Sequence, residues 1–171
     1  MTHVHIREVK GEPVSRDKNK KAAPVPLLID DSEAVKEIAR RIIPKHHPEL
    51  VNAHILYLCR NRASKAAGQP VPGQVRKANP TEKHLAQKAG EEGADFVLTV
   101  ALDVWNDLQP PQRNALVDHL LSRCVGIEDE ETGDMKYSLR PPQVQEFPEV
   151  AERHGKWNAG LAELGERLKG K

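Results

Sequence analysis

The order of apolar and polar positions sorts the chain into a few helices and strands behind a polar start. From Met1 to about Pro26 polar residues dominate, Pro13, Pro24 and Pro26 interrupt the chain, and Lys18, Lys20 and Lys21 fall close together. Such a stretch cannot bury enough apolar surface to order by itself, so it reads as a disordered basic arm. Next comes SEAVKEIARRII, with apolar residues recurring at Ala34/Val35, Ile38 and Ile42/Ile43. That spacing predicts an amphipathic helix capped by Ser32 and stopped by Pro44. After KHHPEL, the run AHILYLCR has the character of a strand, and the end of a helix stays open as a second reading. In RNRASKAAGQPVPGQVRKANP only QPVPGQVRK suits a strand, at an edge, because proline cannot donate to a central ladder.

The second half is more apolar. ADFVLTVALDVWNDL opens with strand-like Asp95–Val100 and continues with Leu102, Trp105 and Leu108 at helical spacing, which predicts a strand-to-helix transition or one longer helix. PPQRNALVDHLLSRC follows, with Pro110 and Pro111 suited to a helix start and with Leu116, Val117, Leu120, Leu121 and Cys124 on one apolar face. This predicts a central helix closed by Gly126. IEDEETGDMKYSL reads as a hairpin around Thr132-Gly133-Asp134. Pro141 and Pro142 then start VQEFPEVAERHGKW, expected as a short helix despite Pro148, and AGLAELGERLKGK reads as a weak terminal helix.

Composition narrows the picture in three ways. Hydrophobic residues make up 38% of the 171 and aromatics only 4%, so one lean core of Leu, Val, Ile and Ala is expected, with the two Trp and two Phe as its anchors. The charges nearly cancel to a formal +1, so no whole-molecule field points to nucleic acid or membrane. No apolar run approaches the length of a membrane span or signal peptide, which implies a cytoplasmic protein. In that reducing setting Cys59 and Cys124 read as small buried hydrophobes rather than a disulfide.

The residues closest to chemistry are Asp118 to Cys124, DHLLSRC. In a zincin, two histidines four residues apart on one helix bind zinc, and the glutamate after the first acts as general base. Here the same frame reads His119, Leu120, Leu121, Ser122, Arg123, and a lone helical histidine is by itself an ordinary surface residue. The surroundings add to it. PELVNAHILYL, ADFVLTVALDVWNDLQPPQRNALVDH and QEFPEVAERHGKW together resemble the phage metallopeptidase family. Its members carry D-H-E-x-x-H after W-x-x-L…Q-R-x-A-L-x-D, then a hairpin, H-D-x-x-E-F and R-x-G-x-W.

The resemblance runs from about Glu33 to Trp157. It implies a zincin-like α+β fold, with a small sheet and a central helix carrying a degenerate motif. The implied division is 1–26 as the arm, 27–157 as the metallopeptidase-type domain, and 158–171 as a tail or weak helix. His119 matches the first metal histidine, Leu120 stands in place of the catalytic glutamate, and Arg123 replaces the second histidine. Pro142 stands where the third ligand would open H-D-x-x-E-F, with Gln143 for the aspartate, while Glu146 and Phe147 match. Trp105, Gln112, Arg113, Ala115, Leu116, Asp118, Gly155 and Trp157 match as scaffold positions. The family would bring zinc. With its general base and two of three ligands replaced, this chain is expected to have no catalytic residues and no cofactor.

The resulting expectation is a pseudo-metallopeptidase, encoded by a phage or mobile element, that binds a protein partner such as a host or defence factor. His119, Arg123, Glu146 and His154 are its candidate binding residues. A plainer reading of the same residues is that the helix never held a metal and Leu120 simply packs. Two rivals stand beside these. One is an active zinc hydrolase with a rearranged site, in which His154 or Glu146 joins His119. The other is a nucleic-acid-binding accessory protein using Lys18, Lys20, Lys21 and the basic segment of Arg60, Arg62, Lys65, Arg76 and Lys77 against phosphate. His46 and His47 form a loop pair without a Cys or carboxylate cluster to complete a metal site. No P-loop, G-x-G-x-x-G, G-x-S-x-G or paired C-x-x-C is present.

Overall fold

The computed structural model describes residues 26–88, 93–142, 144–145 and 148–169. Residues 1–25 of the arm expected at 1–26, with Lys18, Lys20 and Lys21, lie outside them, as do Gln143, Glu146 and Phe147.

The described chain is α+β. Its main sheet has four strands in the order β1 (Ile29–Asp31), β2 (Ile55–Arg60), β6 (Phe96–Ala101), β5 (Gly73–Lys77). The centre is β6 (Phe96–Ala101), buried along its whole length. It pairs parallel with β2 (Ile55–Arg60) and antiparallel with β5 (Gly73–Lys77). A strand covered on both faces has no polar side to present, which is why FVLTVA carries a continuous apolar run and only one threonine. AHILYLCR is therefore a strand, and the segment after it is a strand-to-helix transition, with the short helix α3 (Leu102–Trp105) following β6 directly. Two elements have no strong pattern in the sequence. One is the three-residue edge strand β1 (Ile29–Asp31), antiparallel to β2, and the other is the mostly polar helix α2 (Pro80–Lys88).

QPVPGQVRK is split by Pro72. Its first part, β4 (Gln69–Val71), closes a small hairpin with β3 (Ser64–Ala66), and its second part is the sheet edge β5. The expected edge position holds, and the two prolines, Pro70 and Pro72, explain why the strand is not continuous.

Helices α1 (Glu33–His46) and α4 (Pro110–Leu121) contribute the rest of the core. Val35, Ile38, Ala39 and Ile43 from α1 and Val117, Leu120 and Leu121 from α4 pack with Phe96, Leu98, Val100 and Trp105. Fully burying a side chain of this kind contributes roughly 1.5–3 kcal/mol, so this cluster is the main source of stability. Ser32 holds the position before α1, but its side chain makes no cap; its N–H donates instead to the Tyr57 carbonyl on β2 (2.9 Å). Pro44 does not stop α1. It stands inside the last turn, where the missing N–H costs one bond at the helix end, and the His47 N–H closes the helix on the Ile43 carbonyl (2.9 Å).

Gly126 does not close α4. The helix ends at Leu121, and Gly126 lies within β7 (Cys124–Glu128), which pairs with β8 (Met135–Leu139). A Cβ there would come within 2.7 Å of the Glu49 carbonyl oxygen and 2.8 Å of Met135 Cε, so the glycine serves close packing rather than capping. The hairpin turns at Thr132-Gly133-Asp134 as expected, with Gly133 at φ +72°. The next helix, α5 (Pro148–His154), begins not at Pro141 and Pro142 but at Pro148, a residue type equally suited to a first helical position. Helix α6 (Ala159–Leu168) ends the described chain. Of the expected aromatic anchors, Phe96 and Trp105 are buried, whereas Trp157 is 58% exposed.

Candidate functional site: a cationic cleft beside the central helix

The apolar face of α4 turns Val117, Leu120 and Leu121 into the core, while His119 is exposed on the last turns of the helix and Arg123 lies in the turn that follows Leu121. Helix α4 starts with a reciprocal cap: the Gln109 side chain accepts from the Gln112 backbone, and the Gln112 side chain accepts from the Gln109 N–H (2.9 Å). Arg113 folds back over the Trp105 ring, 5.4 Å from its centre, while its Nε donates to the Trp105 carbonyl (3.1 Å). Asp118 meets the buried His47 ring across 71 residues of sequence, Oδ1 lying 2.7 Å from Nε2. These contacts give Trp105, Gln112, Arg113 and Asp118 structural work around the helix.

Beyond Leu121 the chain reverses into β7, and the end of β8 returns to the same place. The Arg140 N–H donates to the Arg123 carbonyl (2.8 Å), and Arg140 Nε donates to the Ser122 carbonyl (2.7 Å). This double tie encloses a cleft of about 200 Å³ lined by His119, Ser122, Arg123, Arg140, Pro141 and Pro142. The structure thus brings His119, Arg123 and Pro142 together. Ser122 and Arg140 were not among the residues singled out by sequence, since nothing in the one-dimensional pattern shows that the hairpin folds back onto the helix end.

No carboxylate is among the described residues lining this cleft. Arg123 Nε is buried and has no hydrogen-bond partner among the described residues. The Ser122 hydroxyl is occupied as a donor, to the Asp118 carbonyl (2.8 Å). Leu120, beside the cleft in sequence, belongs to the core instead and is 2% exposed. Its Cδ1 reaches the edge strand so closely that a Cβ on Gly73 would lie 2.8 Å away. Cys124 offers no nucleophile: burial pushes its thiol up to about 12, against the opposing charge of Arg123, and Sγ points at the Leu120 carbonyl (3.8 Å).

A family model described as "Putative phage metallopeptidase" matches residues 29–166. The chain belongs to that family. No curated protein and no solved structure matches it.

The phage metallopeptidase family implies zinc, and the cleft is a poor fit for it. One imidazole, a hydroxyl, two guanidiniums and two proline rings supply a single good zinc donor where three protein ligands are needed. Among the described residues no group of three or more His, Cys, Asp or Glu side chains could hold a metal. His154, at the exposed end of α5, is not among the residues lining the cleft, and Glu146 lies outside the described residues.

The basic segment is dispersed by the fold. Arg60 is buried and donates to the Ser64 hydroxyl (3.0 Å), and Arg76 is paired with Glu82. Arg62, Lys65 and Lys77 remain exposed. His47 is held by Asp118, and His46 is exposed in the last turn of α1. Both cysteines are free and buried. Among the described residues no helix is long and apolar enough to cross a membrane.

Proposed function

We propose that this member of the phage metallopeptidase family is a pseudoenzyme: it keeps the family frame, lacks catalytic zinc chemistry, and acts by binding a protein partner through the cleft beside α4. The observation that carries this reading is the lining of the cleft. His119, Arg123 and Pro142, which stand in the family's three ligand positions, face one space and present one imidazole, one cation and one ring without a donor. A guanidinium at that point repels a divalent ion. Leucine at position 120 cannot take a proton from water, and loss of a general base alone typically costs about 10²–10⁴-fold in rate.

The family description supports a phage or mobile-element setting, and within it a host or defence protein in the cytoplasm is the natural partner class. The test uses the full chain, expressed with zinc in the medium. Elemental analysis should find far less than stoichiometric zinc, and mass spectrometry of a peptide library should show no cleavage. Stoichiometric zinc accompanied by cleavage that a chelator abolishes would overturn the reading.

A further inference from the structure

Among the described residues, the cleft has two cationic side chains and no anionic one. Arg123 and Arg140 both line it, neither forms an ion pair among the described residues, and Arg123 Nε is buried without a partner. Two cations that line one cleft favour an anion between them. An oxyanion in the cleft would meet both cations and be held by charge-assisted hydrogen bonds from their guanidinium groups. His119 supplies a further polar group at the wall, and Pro141 and Pro142 supply rigid apolar sides that limit water.

From this we infer that the cleft is a carboxylate-recognition pocket that takes an acidic side chain or chain end from a partner peptide. The inference rests on the pseudoenzyme reading, because it places an anion where the family would place a cation. The surroundings favour a protein carboxylate over the backbone of a nucleic acid. Binding along phosphates needs a row of free cations. Here Arg60 is buried, Arg76 is neutralised by Glu82, and the chain carries a formal net charge of only +1. A single compact pocket suits one carboxylate at a time.

The test is fluorescence anisotropy on the full chain with three labelled probes: a short peptide alternating Glu and Gly, its Gln and Gly counterpart, and a single-stranded oligonucleotide of matching charge. The Glu peptide should bind, more weakly as salt rises, and Arg123→Gln and Arg140→Gln should each weaken it about tenfold or more. Lys77→Gln, on the edge strand, should leave it unchanged. Arg140 also ties the hairpin to the helix end, so thermal melts accompany each variant, and Arg123→Gln carries the test if Arg140→Gln does not fold. Absence of Glu-peptide binding, equal binding of the Gln peptide, equal or tighter binding of the oligonucleotide, or equal weakening by Lys77→Gln would each overturn the proposal. Zinc content and peptide cleavage are measured on the same sample. Zinc-dependent cleavage sinks the pseudoenzyme reading itself, whereas zinc-free protein without carboxylate preference sinks only the pocket assignment.

Discussion

His47 Nε2 donates to Asp118 Oδ1 across 2.7 Å and so locks the end of α1 to the helix that carries the cleft. His47 is 6% exposed, and its other ring nitrogen lies 4.0 Å from Glu49, so the bond to Asp118 is its principal satisfied contact. Asp118 immediately precedes His119, and fixing it fixes how that turn of α4 faces the cleft.

Asp118→Ala should therefore destabilise the protein by about 1–3 kcal/mol, the usual cost of stranding a buried polar group. Asp118→Asn retains an oxygen acceptor and should cost clearly less. Urea denaturation of both variants checks this, and an Asp118→Ala protein as stable as the parent would show that the contact contributes nothing.

Leu120→Ala should cost about 2–5 kcal/mol, as expected for a large-to-small change in a packed core. Leu120→Glu tests the same burial through pH. A carboxyl in that apolar setting has its folded pKa raised above its unfolded value, so the folded state is favoured below the unfolded pKa and loses stability as pH rises through the folded one. The variant should be closer to the parent near pH 4 than at pH 7. A deficit that does not change between those conditions would place the side chain in water instead.

Alkaline behaviour follows from Cys124 and Tyr57, both pushed up to about 12 chiefly by burial. Their folded pKa values lie above the unfolded ones of 9.0 and 10.0, so the unfolded chain ionises first. The contribution of these two groups is fully present well below pH 9.0 and should be lost as pH rises through 9.0 toward about 12, the Cys124 part of the fall being absent in Cys124→Ala. Thermal melts across that range, with thiol alkylation as a second readout, measure it. Alkylation of native Cys124 at neutral pH as rapid as that of the unfolded chain would contradict the burial.

Local periodicity was enough to read α1, β6, α4 and the β7–β8 hairpin, because each has its own apolar spacing or turn residues. It misread Pro44 and Gly126 for the same reason in both cases: their roles depend on what lies nearby in space. A proline in the last turn costs little, and Gly126 is required by the Glu49 carbonyl, which approaches from a distant segment. Helix α2 was missed because its nine residues are mostly polar, and Trp157 was expected inside only because tryptophan is large and apolar. Of the site, the resemblance supplied His119, Arg123 and Pro142. Arg140 joins the site only because the chain after β8 returns against the end of α4, a contact that local sequence does not encode. The His47–Asp118 bond, 71 residues apart, has no sequence signal at all.

The claim that His119, Arg123 and Pro142 are the converged positions of a lost metal centre is tested most directly by restoring the donors. In Arg123→His/Pro142→His, Leu120 is kept, so that no buried carboxylate confuses the result. The measurement is the thermal midpoint with and without zinc. Because an ion that binds only the folded state raises stability with its concentration, zinc should raise the midpoint of the double variant and leave the parent unchanged. A folded double variant whose midpoint ignores zinc, or a parent protein that responds as strongly, would contradict the account.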